Sequence, residues 1–106
     1  MSRQWKEAER QIARRVGGVR VSNHALGLRT PDVESSWLSV EVKHRKRLPV
    51  LITGALAQAR RNATAGKLAV AVLHEEGQRY DDAVVVVRLG DWIEWFGVLT
   101  PGEEAE

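Results

Sequence analysis

A two-residue alternation of apolar and polar side chains is the feature that most constrains the fold. Between positions 38 and 45 the alternating residues are Leu38, Val40 and Val42 on one side and Ser39, Glu41, Lys43 and Arg45 on the other. Successive side chains of a β-strand point to opposite faces. The pattern therefore predicts a strand or hairpin from residue 32 to 45, with a turn at residues 34–36, one face in the core and the other in solvent.

Hydrophobic periodicity and glycines predict the remaining elements. From the N-terminus these are a helix at 2–16, a strand at 19–22, a helix at 50–65, strands at 68–74 and 83–89 that are buried on both faces, and a short helix from 90 onward. Helices that alternate with strands in this order are typical of an α/β fold of mixed α+β character. We expect a central mixed β-sheet flanked by helices.

Length and composition predict one domain. A chain of 106 residues with 43% apolar residues can bury one core and is too short for two. We expect a domain at 1–100 and an acidic, flexible tail at 101–106. The chain has no cysteine, which excludes a disulfide framework, a thiolate zinc site and a thiol nucleophile. No apolar run reaches membrane-spanning length and no signal peptide is evident, so we expect a cytoplasmic protein.

Glu9 is the clearest anomaly in the first predicted helix. At about 100° per residue, Trp5, Ile12 and Val16 share a narrow sector of the helix, and Glu9 lies inside that sector. A carboxylate directed at a core is costly unless it is paired or binds a metal. Either Glu9 is a metal ligand, or it lies at the rim of the apolar stripe and pairs with a basic neighbour.

A second group of charged residues lies on the predicted hairpin. Asp32 follows Pro31 at its start, and Glu41 and Lys43 share one face of the strand. Converging carboxylates form an oxygen site for Mg²⁺ or Mn²⁺, which polarises a phosphate and activates water. Lys43 would then orient the water or offset charge that develops in the transition state. The alternative is a solvated strand face with a Glu–Lys surface pair.

Charge is distributed unevenly along the chain. Residues 1–67 hold 14 Lys or Arg and five Asp or Glu, a formal charge of +9, while the whole chain carries +2, which leaves −7 for the rest. Because phosphate contacts supply most of the sequence-independent affinity for nucleic acids, the basic part predicts a face that binds a polyanion such as a nucleic acid. An ordinary solvated surface is the alternative. The candidates for phosphate contacts are Arg29, Arg45, Lys46, Arg47, Arg60, Arg61 and Lys67, with Arg14, Arg15 and Arg20 as extensions.

Together these residues resemble the PD-(D/E)xK nuclease superfamily and, within it, the small Holliday junction resolvases of archaea and phages. The likeness is carried by Pro31-Asp32, a nine-residue step to Glu41-Val42-Lys43, and an upstream helix with an inward Glu. Residues 5–13 resemble the family's opening helix, residues 40–49 its catalytic strand and basic turn, and residues 55–59 the helix that follows. The likeness extends from about residue 5 to residue 89.

The resemblance implies a restriction-endonuclease-like core and an Mg²⁺-dependent endodeoxyribonuclease, with Mn²⁺ as a possible substitute. The residues carried over by motif are Glu9, Asp32 and Glu41 as metal ligands, Lys43 as the catalytic lysine, and Gln58 as a further catalytic candidate. Family loops before the Pro-Asp pair often carry a functional hydroxyl. Ser22 and Thr30 both remain open for that role.

Holliday junction resolution is the best specific activity that the resemblance implies. Symmetrical cleavage of a four-way DNA junction needs two active sites, which implies a homodimer in the cytoplasm of a bacterium or a phage-infected host cell. A face rich in Val and Trp, including Trp92, Trp95 and Phe96, would form the dimer contact or cap the monomer's own core. The alternatives are a related nuclease acting on flaps, ends or duplex DNA, a catalytically silent DNA-binding module, and a structural domain in which Glu-x-Lys is a coincidence.

Overall fold

The computed structural model describes residues 2–21 and 30–97 and has mixed α+β character, which confirms the predicted class at that level. Its elements are α1 (Ser2–Val16), β1 (Val19–Arg20), β2 (Val33–Glu34), β3 (Ser39–Val40), α2 (Val50–Asn62), β4 (Ala71–Leu73), β5 (Val84–Val86) and α3 (Leu89–Phe96). The chain divides into two compact units. The first is Met1–Lys46 with the chain from Phe96 onward, and the second is Arg47–Trp95.

Helix α1 ends as the sequence predicts, at the Gly17-Gly18 pair. Gly17 has a φ of 70°, a left-handed conformation that glycine adopts without a steric penalty. The amide of Gly18 donates to the carbonyl of Ala13 at 2.9 Å, the long bond of a Schellman motif. The chain therefore leaves the helix sharply and enters β1 within two residues.

The first unit is built on a three-stranded antiparallel sheet in the order β1-β2-β3. Val33 pairs with Arg20 on one side and with Val40 on the other, and it is 0% exposed. Helix α1 packs against β1 and β2, and its Ala13 and Val16 are buried there. Burial of a valine side chain contributes about 1.5–3 kcal/mol, so Val33 lies at the centre of this core.

Gly18 lies where the chain that leaves α1 passes close to β2, and we expect Gly18→Ala to destabilise the protein by about 1–3 kcal/mol. A Cβ atom there would lie 2.7 Å from the Glu34 carbonyl oxygen and 3.1 Å from Cγ1 of Val33. Gly54→Ala in α2 is the matched control, since its Cβ would meet nothing within 4 Å, and we expect it to stabilise by about 0.5–1 kcal/mol. Urea denaturation of both variants measures the difference; equal effects would contradict the close approach.

The second unit consists of α2, the β4–β5 antiparallel pair and α3, with α2 packed against β4. Ala71 is its buried apolar residue among those described. Val72 and Val85 are directly opposite each other in the pairing, and they are 61% and 62% exposed. One face of this pair is therefore apolar and open to solvent.

Two details of the predicted sheet are wrong for the described residues. Their strands form two separate antiparallel sheets rather than one central mixed sheet. The segments predicted as doubly buried strands are short, and one face of each is exposed. The paired strands are consecutive along the chain, and consecutive strands favour antiparallel pairing because a parallel pair needs a long crossover connection.

Within residues 2–21 and 30–97, no helix has the length and apolar character that a membrane crossing requires. The predicted tail at 101–106, Ser22 and Arg29 lie outside the described residues.

Candidate functional site

Glu9 is buried on the inner side of α1, as its helical position predicts, with 3% of its surface exposed. Its Oε1 accepts a hydrogen bond from Nε of Arg20 on β1 at 2.7 Å. The predicted pairing with a basic neighbour is confirmed, although Glu9 is buried and does not lie at the rim of the apolar stripe. Its role as a metal ligand stays a prediction. The ion pair joins the helix to the first strand and compensates a charge that burial alone would disfavour.

Asp32 is held in place by its own backbone and side chain. Its amide donates to the Val40 carbonyl at 2.9 Å, and its carbonyl accepts from the Val21 amide at 3.0 Å. Its Oδ2 accepts a 2.7 Å hydrogen bond from the Val42 amide. The carboxylate thus continues the pairing of the hairpin beyond the last backbone bond of β3, and this fixes Asp32 relative to Glu41 and Lys43.

Glu41 and Lys43 follow β3 in an extended segment in which exposed residues alternate with half-buried ones. The Lys43 Nζ lies 3.9 Å from Oε2 of Glu41, and the two side chains are 81% and 62% exposed. At that exposure the pair contributes little to stability. Both groups project from the same face, as the alternation predicts, and both are accessible to a ligand.

These four charged residues border one cleft in the first unit. The cleft has a volume of about 560 Å³ and is lined by Glu9, Asp32, Glu41 and Lys43 together with Trp5, Val42, His44 and Arg45. Helix α1, the residue just before β2 and the segment after β3 each contribute to it. Three carboxylates, a lysine and an arginine therefore face a common space that is open to solvent.

The donor atoms of this cleft suit Mg²⁺. Mg²⁺ takes oxygen ligands, keeps several waters and is usually bound through one or two carboxylates plus substrate phosphate. Asp32 and Glu41 supply such carboxylates, and Glu9 would add a third if its bond to Arg20 were exchanged. Within the described part of the chain, no group of three or more His, Cys, Asp or Glu side chains is arranged to hold a metal ion. The carboxylates fit an ion shared with a phosphate better than a closed protein cage.

The other predicted site residues are distributed over both units. Arg45 lines the cleft, and Lys46 is an exposed neighbour that follows it. In the second unit Gln58, Arg47, Arg61 and Lys67 are exposed, and Nη1 of Arg60 forms a 2.6 Å ion pair with Asp91. The catalytic role of Gln58 and the phosphate contacts stay predictions.

Trp5 and Arg20 contribute to the cleft in ways that the sequence did not indicate. Trp5 falls in the apolar sector of α1, which predicts a core residue, yet it is 40% exposed and lies on the cleft rim. Its position in the first turn of α1, next to Lys6, was the available signal, since the first turn of a helix can project beyond the sheet that the helix covers. Arg20 was grouped with the general basic residues; the inward Glu9 was the signal that an inward partner was required.

The chain matches no protein-family model, and neither a curated protein nor a solved structure matches it. The case for a function therefore rests on the side chains of the cleft.

Proposed function

We propose that the protein is a metal-dependent DNA endonuclease of the PD-(D/E)xK type whose best substrate is a four-way DNA junction. The observation that carries the proposal is the convergence of Glu9, Asp32, Glu41 and Lys43 on one solvent-open cleft. Phosphodiester hydrolysis needs carboxylates to hold a cation and a nearby cationic group to offset developing charge. The cleft supplies both.

The residues have separate roles in the proposed reaction. Asp32, fixed by the Val42 amide, and the exposed Glu41 would hold Mg²⁺ or Mn²⁺. When bound, the cation would polarise the scissile phosphate and make water a better nucleophile at neutral pH. The Lys43 ammonium would orient the attacking water or stabilise negative charge on the phosphate oxygens. Glu9 would support the ion from the inner wall of the cleft.

Basic residues beside the cleft would bind the DNA backbone. Arg45 lines the cleft itself, and Lys46 and Arg47 follow it along the chain. Each phosphate contact that is lost should lower the slope of log affinity against log salt by about one. This binding is independent of sequence, which suits a substrate recognised by its branched shape.

Junction resolution would require a homodimer, because two opposed strands are cut and each subunit has one cleft. Trp95 and Phe96 at the end of α3 are exposed, as a dimer contact would need. Sedimentation velocity tests this part of the proposal. A protein that stays monomeric on a four-way junction would contradict paired cleavage.

The decisive test compares the purified protein on a four-way junction, a 5′ flap and a linear duplex of the same sequence. With Mg²⁺ we expect paired nicks at symmetry-related positions of the junction, and with EDTA we expect none, because the carboxylates alone do not activate water. Denaturing gels with each strand labelled separately locate the nicks.

Each outcome of that experiment has a separate meaning. Cleavage of flap or duplex but not of the junction would retain the nuclease and reject junction resolution. Metal-independent binding of the junction without any cleavage would reject the nuclease in favour of a catalytically silent DNA-binding module.

A further inference from the structure

A larger groove adjoins the candidate active site on the outer side of α1. It has a volume of about 1050 Å³, and its lining includes Trp5, Ala8, His44, Arg45 and Lys46. Trp5, His44 and Arg45 also line the carboxylate cleft. The two depressions therefore share three residues, and Trp5 stands at their common border.

Trp5 has the surroundings of a stacking surface rather than of a core residue. The residue is 40% exposed. The Lys6 Nζ and the Arg20 Cζ atoms each lie 5.9 Å from its ring centroid, a distance at which a cation is attracted to the aromatic face. An exposed indole with two cations near it suits a ligand that combines a flat aromatic group with an anionic backbone.

The charge on the walls of the groove also suits such a backbone. His44, Arg45 and Lys46 lie on one wall. Glu7 is the acidic residue among those that line the opposite wall; its carboxylate accepts a 2.8 Å hydrogen bond from Gln11 and lies 3.5 Å from Arg10. The Gln11 hydrogen bond, followed by the Arg10 and Arg14 charges, holds the pKa of Glu7 below its usual value. The negative charge of Glu7 is therefore compensated by residues of its own helix.

We infer that this groove binds an unpaired stretch of the DNA strand and that Trp5 stacks on one of its bases beside the scissile phosphate. In a paired duplex the bases are stacked on one another, so their faces are not available to an indole. Nucleotides unstacked at a branch point or beside a flap present those faces, and base–aromatic stacking accepts any base. Trp5 would thereby select branched or frayed DNA over continuous duplex.

The inference rests on the proposed nuclease function, but its test does not require cleavage. Without metal, fluorescence anisotropy would measure the affinity of an oligo(dT) of about a dozen nucleotides, within the usual site size, and of a duplex of equal length. For Trp5→Ala we expect about a tenfold or greater loss of oligo(dT) affinity and an unchanged duplex affinity. Trp5→Phe, which keeps an aromatic face, should retain most of the oligo(dT) affinity.

Trp37→Ala is the matched control, because Trp37 is another exposed tryptophan of the first unit, 47% exposed on the β2–β3 turn. It should leave both affinities unchanged. Equal losses for oligo(dT) and duplex in Trp5→Ala, or no loss for either, would overturn the inference. Failure of the wild-type protein to cut DNA would overturn the nuclease proposal. The affinity measurements would still decide whether Trp5 stacks on unpaired bases.

Discussion

Asp32→Asn should reduce DNA cleavage by at least about 10²- to 10³-fold, the loss that follows removal of one pre-positioned charge-stabilising group. The substitution removes the negative charge that would bind the cation. It keeps a side-chain oxygen able to accept the 2.7 Å hydrogen bond from the Val42 amide. We therefore expect the fold to survive and only the chemistry to be lost. Single-turnover cleavage of a labelled junction with Mg²⁺ measures the rate.

Glu34→Gln is the matched control for that substitution. Glu34 is an exposed carboxylate on β2, two residues further along the chain, and is not part of the cleft lining. Its neutralisation should leave the cleavage rate within about twofold of the wild-type rate, because a lone exposed charge contributes little.

Glu41→Gln and Lys43→Ala should reduce the cleavage rate as Asp32→Asn does. If either removes DNA binding instead of the cleavage step, the role assigned to that residue is wrong.

Arg20→Met should produce the largest loss of stability, about 3–5 kcal/mol. The substitution leaves the Glu9 carboxylate buried at 3% exposure without the guanidinium that now lies 2.7 Å from it. An unpaired buried charge is far more costly than a missing apolar contact. Chemical denaturation monitored by circular dichroism measures the change in the free energy of unfolding.

The double substitution Glu9→Leu/Arg20→Met identifies the source of that loss. Replacing both partners of a buried pair by apolar side chains is often neutral or stabilising, so we expect the double variant to recover most of the stability. Arg10→Met is the control, because both side chains of the Arg10–Glu7 pair on the same helix are exposed and their loss should change stability little. A double variant as unstable as Arg20→Met would show that Arg20 stabilises the fold through packing and not through charge.

Local patterns predicted the first unit well. The helical spacing of Ile12 and Val16, the stop at Gly17, and the alternation after Leu38 depend on interactions between residues close in sequence, and the structure has each of them. The second unit was predicted less well. Its valine-rich segments suggested strands covered on both faces, but whether a strand is covered depends on distant elements. Val72 and Val85 are exposed instead.

Local sequence patterns likewise predicted some features of the candidate site and missed others. The inward direction of Glu9 and the common face of Glu41 and Lys43 follow from period and position alone. The bond between Asp32 and the Val42 amide, and the pairing of Glu9 with Arg20, join residues 10 and 11 positions apart. They depend on how β1, β2 and β3 align, and the spacing of residues within one segment does not predict that register.

The order of the cleft residues along the chain bears on how the protein is made. Every residue that lines the cleft lies between positions 5 and 45, either on α1 or on the chain just before β2 and just after β3. The strands β1, β2 and β3 pair with their sequence neighbours. Contacts between near neighbours in sequence form quickly, and N-terminal regions fold first during synthesis. All the residues of the cleft have therefore been synthesised before the first residue of α2 is added to the chain.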